Sequence, residues 1–312
     1  MLTEEKTFIL AESVNEAIKE ASLQKRPFKF AAGGTDVFVN KYQGNDTSLC
    51  VIDISQLDEL KKIEITEDSI SIGSLVKLNE LGKNEIIQKE FPALIEAANS
   101  VGSPLIRAAA TIGGNILCEN RCIFYNQSDW WRDSVGYCLK CEGDICIATG
   151  SLSKCYSELV SDTAPALISM DAMIQINGIN GITVKKLEDI YTGEGVSPRN
   201  LESTSLITVI KLQRRIYDRT VFKKLRIRQS LDFTSLTSAV SVNSSGNIKV
   251  VLGGVDPGPV ICLGKLDNDP SIIINQALKK SRAIDNETMS RTYRREMIKL
   301  FITQSLEELK KM

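Results

Sequence analysis

The chain has 312 residues, 38 Lys and Arg against 39 Asp and Glu, a formal net charge of −1 and a hydrophobic fraction of 43%, which suits a soluble globular protein of two or three modules. This balance gives no general pull toward nucleic acid or an anionic membrane, and no apolar run reaches the roughly 18–20 residues of a spanning helix. With no histidine in the chain, catalytic triads, Cys–His pairs, mixed Cys/His zinc sites and a flavin tethered through histidine are excluded. The acid-bearing start MLTEEKTFILAES does not follow a signal-peptide plan, and a cytoplasmic location is the default expectation.

In chain order, residues 7–10 (TFIL) predict a strand, and Ser13 with Glu16 has the spacing of a capping box for a helix over VNEAIKEASLQ. A strand at Phe28–Ala32 precedes Gly33-Gly34-Thr35-Asp36 and the apolar segment VFVNKY, and a third strand runs near Leu49–Ile54. This strand–helix–strand unit favours parallel pairing. Ile63–Ile65 and Ile70–Ile72 predict a hairpin, Ser74 a cap for a short helix over LVKLNELGK, and Pro92 the first turn of a helix over ALIEAANSV ended by Gly102. Met173–Ile176 with Ile182–Val184 predict a second hairpin. QRRIYDRT (residues 213–220) breaks the apolar pattern, which divides the chain into 1–215 and 216–312. Beyond it, Leu236–Val242 reads as helical or extended, Ile248–Gly253 as a strand, VDPGPV as a turn and Asn286–Lys311 as a core-facing helix.

Two glycine pairs stand out. KFAAGGTD places Gly33 and Gly34 directly after a strand, and TIGGN (Thr111–Asn115) repeats the arrangement about 80 residues on. Glycine lets backbone amides approach an anion closely, so two such loops suggest a diphosphate gripped from both sides, although a double glycine after a strand is by itself more often just a turn. Neither is a G-x-G-x-x-G fingerprint or a P-loop. Asp162, in SDTAPAL, can bond a sugar hydroxyl or cap a helix.

AGGTD, TIGGN, SDTAPAL and FKKLRIR together resemble the FAD-binding medium subunit of the molybdenum hydroxylases, the xanthine dehydrogenase and carbon monoxide dehydrogenase group, over nearly the whole chain. VVLGGVDPGPV is similar to that group's C-terminal glycine turn. The resemblance implies an α+β chain with a PCMH-type (vanillyl-alcohol-oxidase-like) FAD-binding domain and a C-terminal α+β module like that of the CO dehydrogenase flavoprotein. It also implies that FAD is held by Lys29, Phe30, Ala31, Ala32, Gly33, Gly34, Thr35, Asp36, Thr111, Gly114, Asn115, Asp162 and Lys224, with no catalytic residue on this chain.

Between TIGGN and the Ser-Asp segment lie about 45 residues that the ordinary members of the group lack. Cys122, Cys138, Cys141, Cys146 and Cys155 fall in that stretch, with Cys118 at its start, six of the eight cysteines. In a reducing compartment such a cluster binds metal or does redox chemistry more often than it forms disulfides. C-x-x-C spacing leaves a structural Cys₄ zinc site and an iron–sulfur cluster both open. The pattern NRCIFYNQS, WWR, CLK, GD-I-C and KC resembles the 4-hydroxybenzoyl-CoA reductase subfamily. By that resemblance the insertion, about residues 118–156, holds a [4Fe–4S] cluster on Cys122, Cys138, Cys146 and Cys155. Trp130 and Trp131 are expected to pack the insertion, and Cys50 and Cys262 to be buried apolar residues.

The resemblance further implies an electron-transfer subunit working between a ferredoxin-like carrier and two partners, a [2Fe–2S] small subunit and a molybdopterin-binding large subunit, as a dimer of heterotrimers. The reaction implied is reductive dehydroxylation of 4-hydroxybenzoyl-CoA. An oxidative hydroxylase of purine or N-heterocycle type, and a flavin scaffold with a zinc-stapled insertion, are the alternatives.

Overall fold

The computed structural model describes residues 6–311. Its first unit is a three-stranded sheet of β1 (Thr7–Leu10), β2 (Phe28–Ala31) and β3 (Cys50–Asp53), in the order β1-β3-β2 with both pairings parallel. The expected cap is present, because Ser13 Oγ accepts from Glu16 N at 3.1 Å. The Glu16 carboxylate reaches back one residue further than a capping box requires, to the Glu12 N–H at 2.6 Å. Val14, Ala17, Ile18 and Ala21 of helix Val14–Leu23 close over the sheet and form a small core with Ile52 and Leu57.

The second sheet has five strands: β4 (Ile63–Ile65), β5 (Ser69–Gly73), β6 (Met173–Gly178), β7 (Gly181–Lys186) and β8 (Leu206–Gln213), in the order β4-β5-β8-β6-β7. Both expected hairpins are there. Helix Pro92–Asn99 starts on its proline as expected and ends at Asn99, with Gly102 two residues beyond its cap in a left-handed turn of φ 47°. With helix Thr163–Ser169 it covers the inner face, and their side chains form the largest core. Ser74 does not cap a helix. The short helix Leu78–Leu81 begins after Lys77, because the preceding segment bonds across to the TIGGN loop, Gly113 N donating to Ser74 O at 2.9 Å.

After Gln213 the chain turns through Arg215, at φ 62°, into a third sheet. Here β9 (Tyr217–Leu225), β10 (Leu236–Asn243), β11 (Asn247–Gly253) and β12 (Val260–Lys265) pair antiparallel in the order β12-β11-β10-β9. One face packs against helices Pro270–Lys280 and Arg291–Lys311. The other contributes Phe222, Ala239 and Val251 to the core of the five-stranded sheet, so the two sheets share a seam. Leu236–Val242 is therefore strand, and Cys262 lies within β12. Both Cys50 and Cys262 are buried. Among the described residues no helix is long and apolar enough to cross a membrane.

Candidate functional site

A cavity of about 570 Å³ lies where the three-stranded unit, the TIGGN segment, β8 and the β9–β10 loop meet. That size suits an extended small-molecule ligand. Lys29, Phe30, Ala32, Gly33, Gly34, Thr35 and Asp36 line one side, and Thr111, Gly114, Asn115 and Asp162 line another. Of the thirteen residues expected at a flavin site, only Ala31 and Lys224 are missing from the wall. Ala31 alternates inward along β2 and is buried in the sheet.

The glycines are demanded by the chain itself. A Cβ on Gly33 would run into the Ala109 carbonyl oxygen, and Gly34 sits at φ 69° with the Phe38 ring 2.5 Å from where its Cβ would be. A left-handed residue in such a turn aims neighbouring amides to one side, the geometry of an anion-binding nest. In the second loop, Thr111 Oγ1 accepts from Gly114 N at 3.1 Å, and Asn115 Oδ1 accepts from Ser161 Oγ at 3.0 Å, Thr163 N at 3.1 Å and Thr163 Oγ1 at 2.7 Å. These two side chains are thus partly occupied in shaping the wall.

Lys224 stands behind Asp162. Its ammonium donates to Asp162 Oδ2 at 2.6 Å, Ser100 O at 3.0 Å and Asp232 O at 3.3 Å. Burial raises the Asp162 pKa even against the attraction of Lys224. The other oxygen, Asp162 Oδ1, is buried without a partner, as are Ser74 Oγ and Asn40 Oδ1, and all three residues line the cavity. Unpartnered buried oxygens are costly, and a polyhydroxylated ligand with donor groups would satisfy them. FAD fits this test. Neither Ser74 nor Asn40 carries a sequence motif. Leu231–Phe233 carry no motif either, and only their place in the loop between two strands signals them.

Beside the cavity the cysteine segment folds back on itself. Its neck is an antiparallel bridge, Arg121 N to Glu158 O at 3.0 Å and Glu158 N to Arg121 O at 2.8 Å. Inside it lie helix Asp129–Val135, capped by Ser128, and a 3₁₀ turn at Leu139–Cys141. The buried Arg132 holds the segment down by donating to Gln127 O at 2.8 Å, Tyr125 O at 3.3 Å and Gly44 O at 3.3 Å, and to Asn45 Oδ1. Trp131 lies 6.5 Å from Phe124, centroid to centroid, but Trp130 is 77% exposed and does not pack the insertion.

Cys138, Cys146 and Cys155 are buried and Cys122 is half-buried. Burial pushes the Cys122 thiol up to about 12, and negative charge on Cys155 and Cys138 adds to the rise. Burial likewise raises Cys155, with Cys146 contributing. A bridge between Cys138 and Ile145 brings Cys138 close to Cys146 in the fold. The Cys141 N–H donates to Cys138 O at 2.7 Å, and the neighbouring Cys141 thiol lowers the Cys138 pKa. Cys118 is elsewhere: it lines the cavity, and burial raises it to about 12 among Asp36, Arg199 and Arg121. Among the described residues no three His, Cys, Asp or Glu side chains are placed to share one metal ion. The donors lie in one segment but do not form a closed cage.

Residues 4–212 match the family described as "FAD binding domain in molybdopterin dehydrogenase". The chain belongs to this family. Among its relatives, the aldehyde oxidoreductase FAD-binding subunit of Escherichia coli is 30% identical over 80% of this chain and 81% of that one. The nicotinate dehydrogenase FAD-subunit of Eubacterium barkeri is 28% identical over 70% of this chain and 63% of its own length. The carbon monoxide dehydrogenase structure from Hydrogenophaga pseudoflava superposes with a TM-score of 0.77 at 19% identity, covering 98% of both chains, which shows a common fold. As a FAD-binding subunit of a molybdenum-flavin oxidoreductase, the chain has the α+β architecture of that group, and the cavity is the place where its walls fit FAD.

Proposed function

We propose that this chain is an electron-transfer subunit carrying FAD and a [4Fe–4S] cluster. It works between a ferredoxin-like carrier and two partners, a [2Fe–2S] small subunit and a molybdopterin-binding large subunit, in a dimer of heterotrimers. The assembled enzyme removes the phenolic hydroxyl of 4-hydroxybenzoyl-CoA reductively. The observation carrying this reading is the concentration of Cys122, Cys138, Cys146 and Cys155 in one inserted segment that leaves the cavity wall at Cys118 and Glu119. These four thiols would hold the cluster, and an all-thiolate set suits iron. FAD, when bound, supplies two-electron storage with one-electron exchange. The chain's residues bind and orient it: the Gly33–Asp36 and Thr111–Asn115 loops take the diphosphate, and Asp162, braced by Lys224, takes a ligand hydroxyl.

Relatives named for nicotinate and xanthine dehydrogenation favour a second reading, an oxidative hydroxylase in which electrons leave through this subunit. Metal analysis and reduction kinetics separate the two. Anaerobically prepared protein should contain about four iron and four sulfide per chain. Serine at Cys122, Cys138, Cys146 or Cys155 should lose the cluster, and serine at Cys118 should not. Reduced ferredoxin should reduce FAD in the complex, and Cys155→Ser should abolish this while FAD stays bound. Zinc instead of iron would leave only the flavin scaffold, and equally fast reduction by NADH with or without the cluster would favour the oxidative enzyme.

A further inference from the structure

Asp36 presents a difficulty for a diphosphate site. It lines the cavity two residues after Gly34, so its carboxylate stands beside the turn where a doubly negative group would lie. Like charges at such range in a half-buried cleft repel strongly. The insertion supplies the remedy. Arg121 Nη2 donates to Asp36 Oδ1, and the Glu119 N–H donates to Asp36 Oδ2 at 2.9 Å. Both carboxylate oxygens are therefore turned toward the neck of the insertion and away from the turn. The same guanidinium lies 4.5 Å from the centroid of Phe233, a wall residue contributed by the β9–β10 loop. Arg121 itself does not line the cavity. Its side chain is 10% exposed, and its backbone is fixed by the two bonds to Glu158.

We propose that Arg121 is a positioning residue for FAD: it neutralises Asp36 so that the Gly33–Gly34 turn can accept the diphosphate, and it braces Phe233 against the cavity mouth. This rests on the diphosphate lying at that turn. Because Arg121 immediately precedes Cys122, FAD affinity depends on the insertion being folded, and the insertion is an accessory part of the flavin site whatever its thiols carry.

The full-length chain, stripped of flavin and reloaded with FAD, provides the test, with the dissociation constant read from quenching of flavin fluorescence. Arg121→Ala should weaken binding by at least about tenfold. Arg121→Lys keeps the charge and should recover most of that loss. The deciding variant is Arg121→Ala combined with Asp36→Asn. Asparagine still accepts from the Glu119 N–H but carries no charge, so FAD affinity should return toward wild type. A purely structural salt bridge would shift the urea midpoint of the flavin-free chain in step with the affinity, so loss and rescue of affinity without a matching midpoint change is the expected result. Should Arg121→Ala fail to fold by circular dichroism, Arg121→Gln with and without Asp36→Asn makes the same comparison. Unchanged affinity in the single variant, or no recovery in the double one, overturns the proposal. Hydrogen exchange of residues 33–36 with and without FAD separates the two layers of the argument. No protection in wild type means the diphosphate lies elsewhere and both ideas fall, whereas protection with an unaffected Arg121 variant removes the inference alone.

Discussion

The cavity and the insertion are neighbours held in place by different forces. The cavity walls grow out of helices and strands whose inward side chains, such as Leu94, Ile112, Leu167 and Ile210, are completely buried in one apolar core. The insertion has one seven-residue helix and is held by cationic tips on backbone carbonyls: Arg132 on Gln43, Gly44, Tyr125 and Gln127, and Lys140 on Asn120 O at 3.1 Å. Apolar burial is non-directional and tolerates substitution, whereas a buried guanidinium must find all its acceptors at once. The comparison suggests that the first region resists single changes on its surface, and that the second hangs on a few polar residues.

The sharpest way to break that contrast is to introduce a polar failure into the apolar region. Lys224→Met strands Asp162 in a buried setting, and unpairing a buried ion costs roughly 3–5 kcal/mol. Urea unfolding should show the loss. Adding Asp162→Asn to the same chain should restore much of it, because the uncompensated charge is then gone.

A smaller and more local effect is expected from Arg132→Ala. It removes the donor shared by the carbonyls of Tyr125, Gln127 and Gly44, with a local cost on the order of 3 kcal/mol. Limited proteolysis should cut between 123 and 153 while the remaining domain stays intact. If the global unfolding midpoint falls as far as it does in Lys224→Met, the insertion is part of the main cooperative unit and the contrast fails.

The last test is a pH slope at the neck. Burial raises Glu158 from its ordinary 4.5 to about 8, with Glu287 and Asp256 adding to the rise and Arg294 opposing it. The folded state thus binds a proton that the unfolded chain releases at lower pH. This contribution to stability is complete below about 4.5 and is lost as pH rises toward about 8. Glu158→Gln should flatten that part of the stability profile. A slope of the opposite sign in wild type would show that the pair with Arg294, at 2.6 Å, dominates instead.

The same contrast explains what was legible in the sequence. Hairpins such as Ile63–Ile65 with Ile70–Ile72 alternate across one buried face, so their pattern reads directly. Val37–Tyr42 reads only as an apolar segment because its helix leaves Phe38 and Val39 exposed. β12 escaped notice because Leu263 is exposed and Gly264 interrupts it at a sheet edge. Within the site, the loop glycines were legible because backbone geometry needs glycine there, and Asp162 only through the resemblance carried by SDTAPAL. Two roles were not: Lys224 supports Asp162 from behind, and Asp36 faces the insertion. Both depend on partners 62 and 85 positions away in the chain, a distance no local pattern encodes.

The bridge between Arg121 and Glu158 has a further consequence for the order of assembly. Because the segment leaves and rejoins the domain at adjacent positions, the helices and sheets around it can reach their native contacts while the loop beyond the neck is still unfinished. Closing a flexible loop costs little more as it lengthens, rising by only about 0.6 kcal/mol per doubling. A biosynthetic machine could therefore furnish the thiols after the domain has folded, and a shorter turn joining residues 121 and 158 would let the parent domain be studied without them.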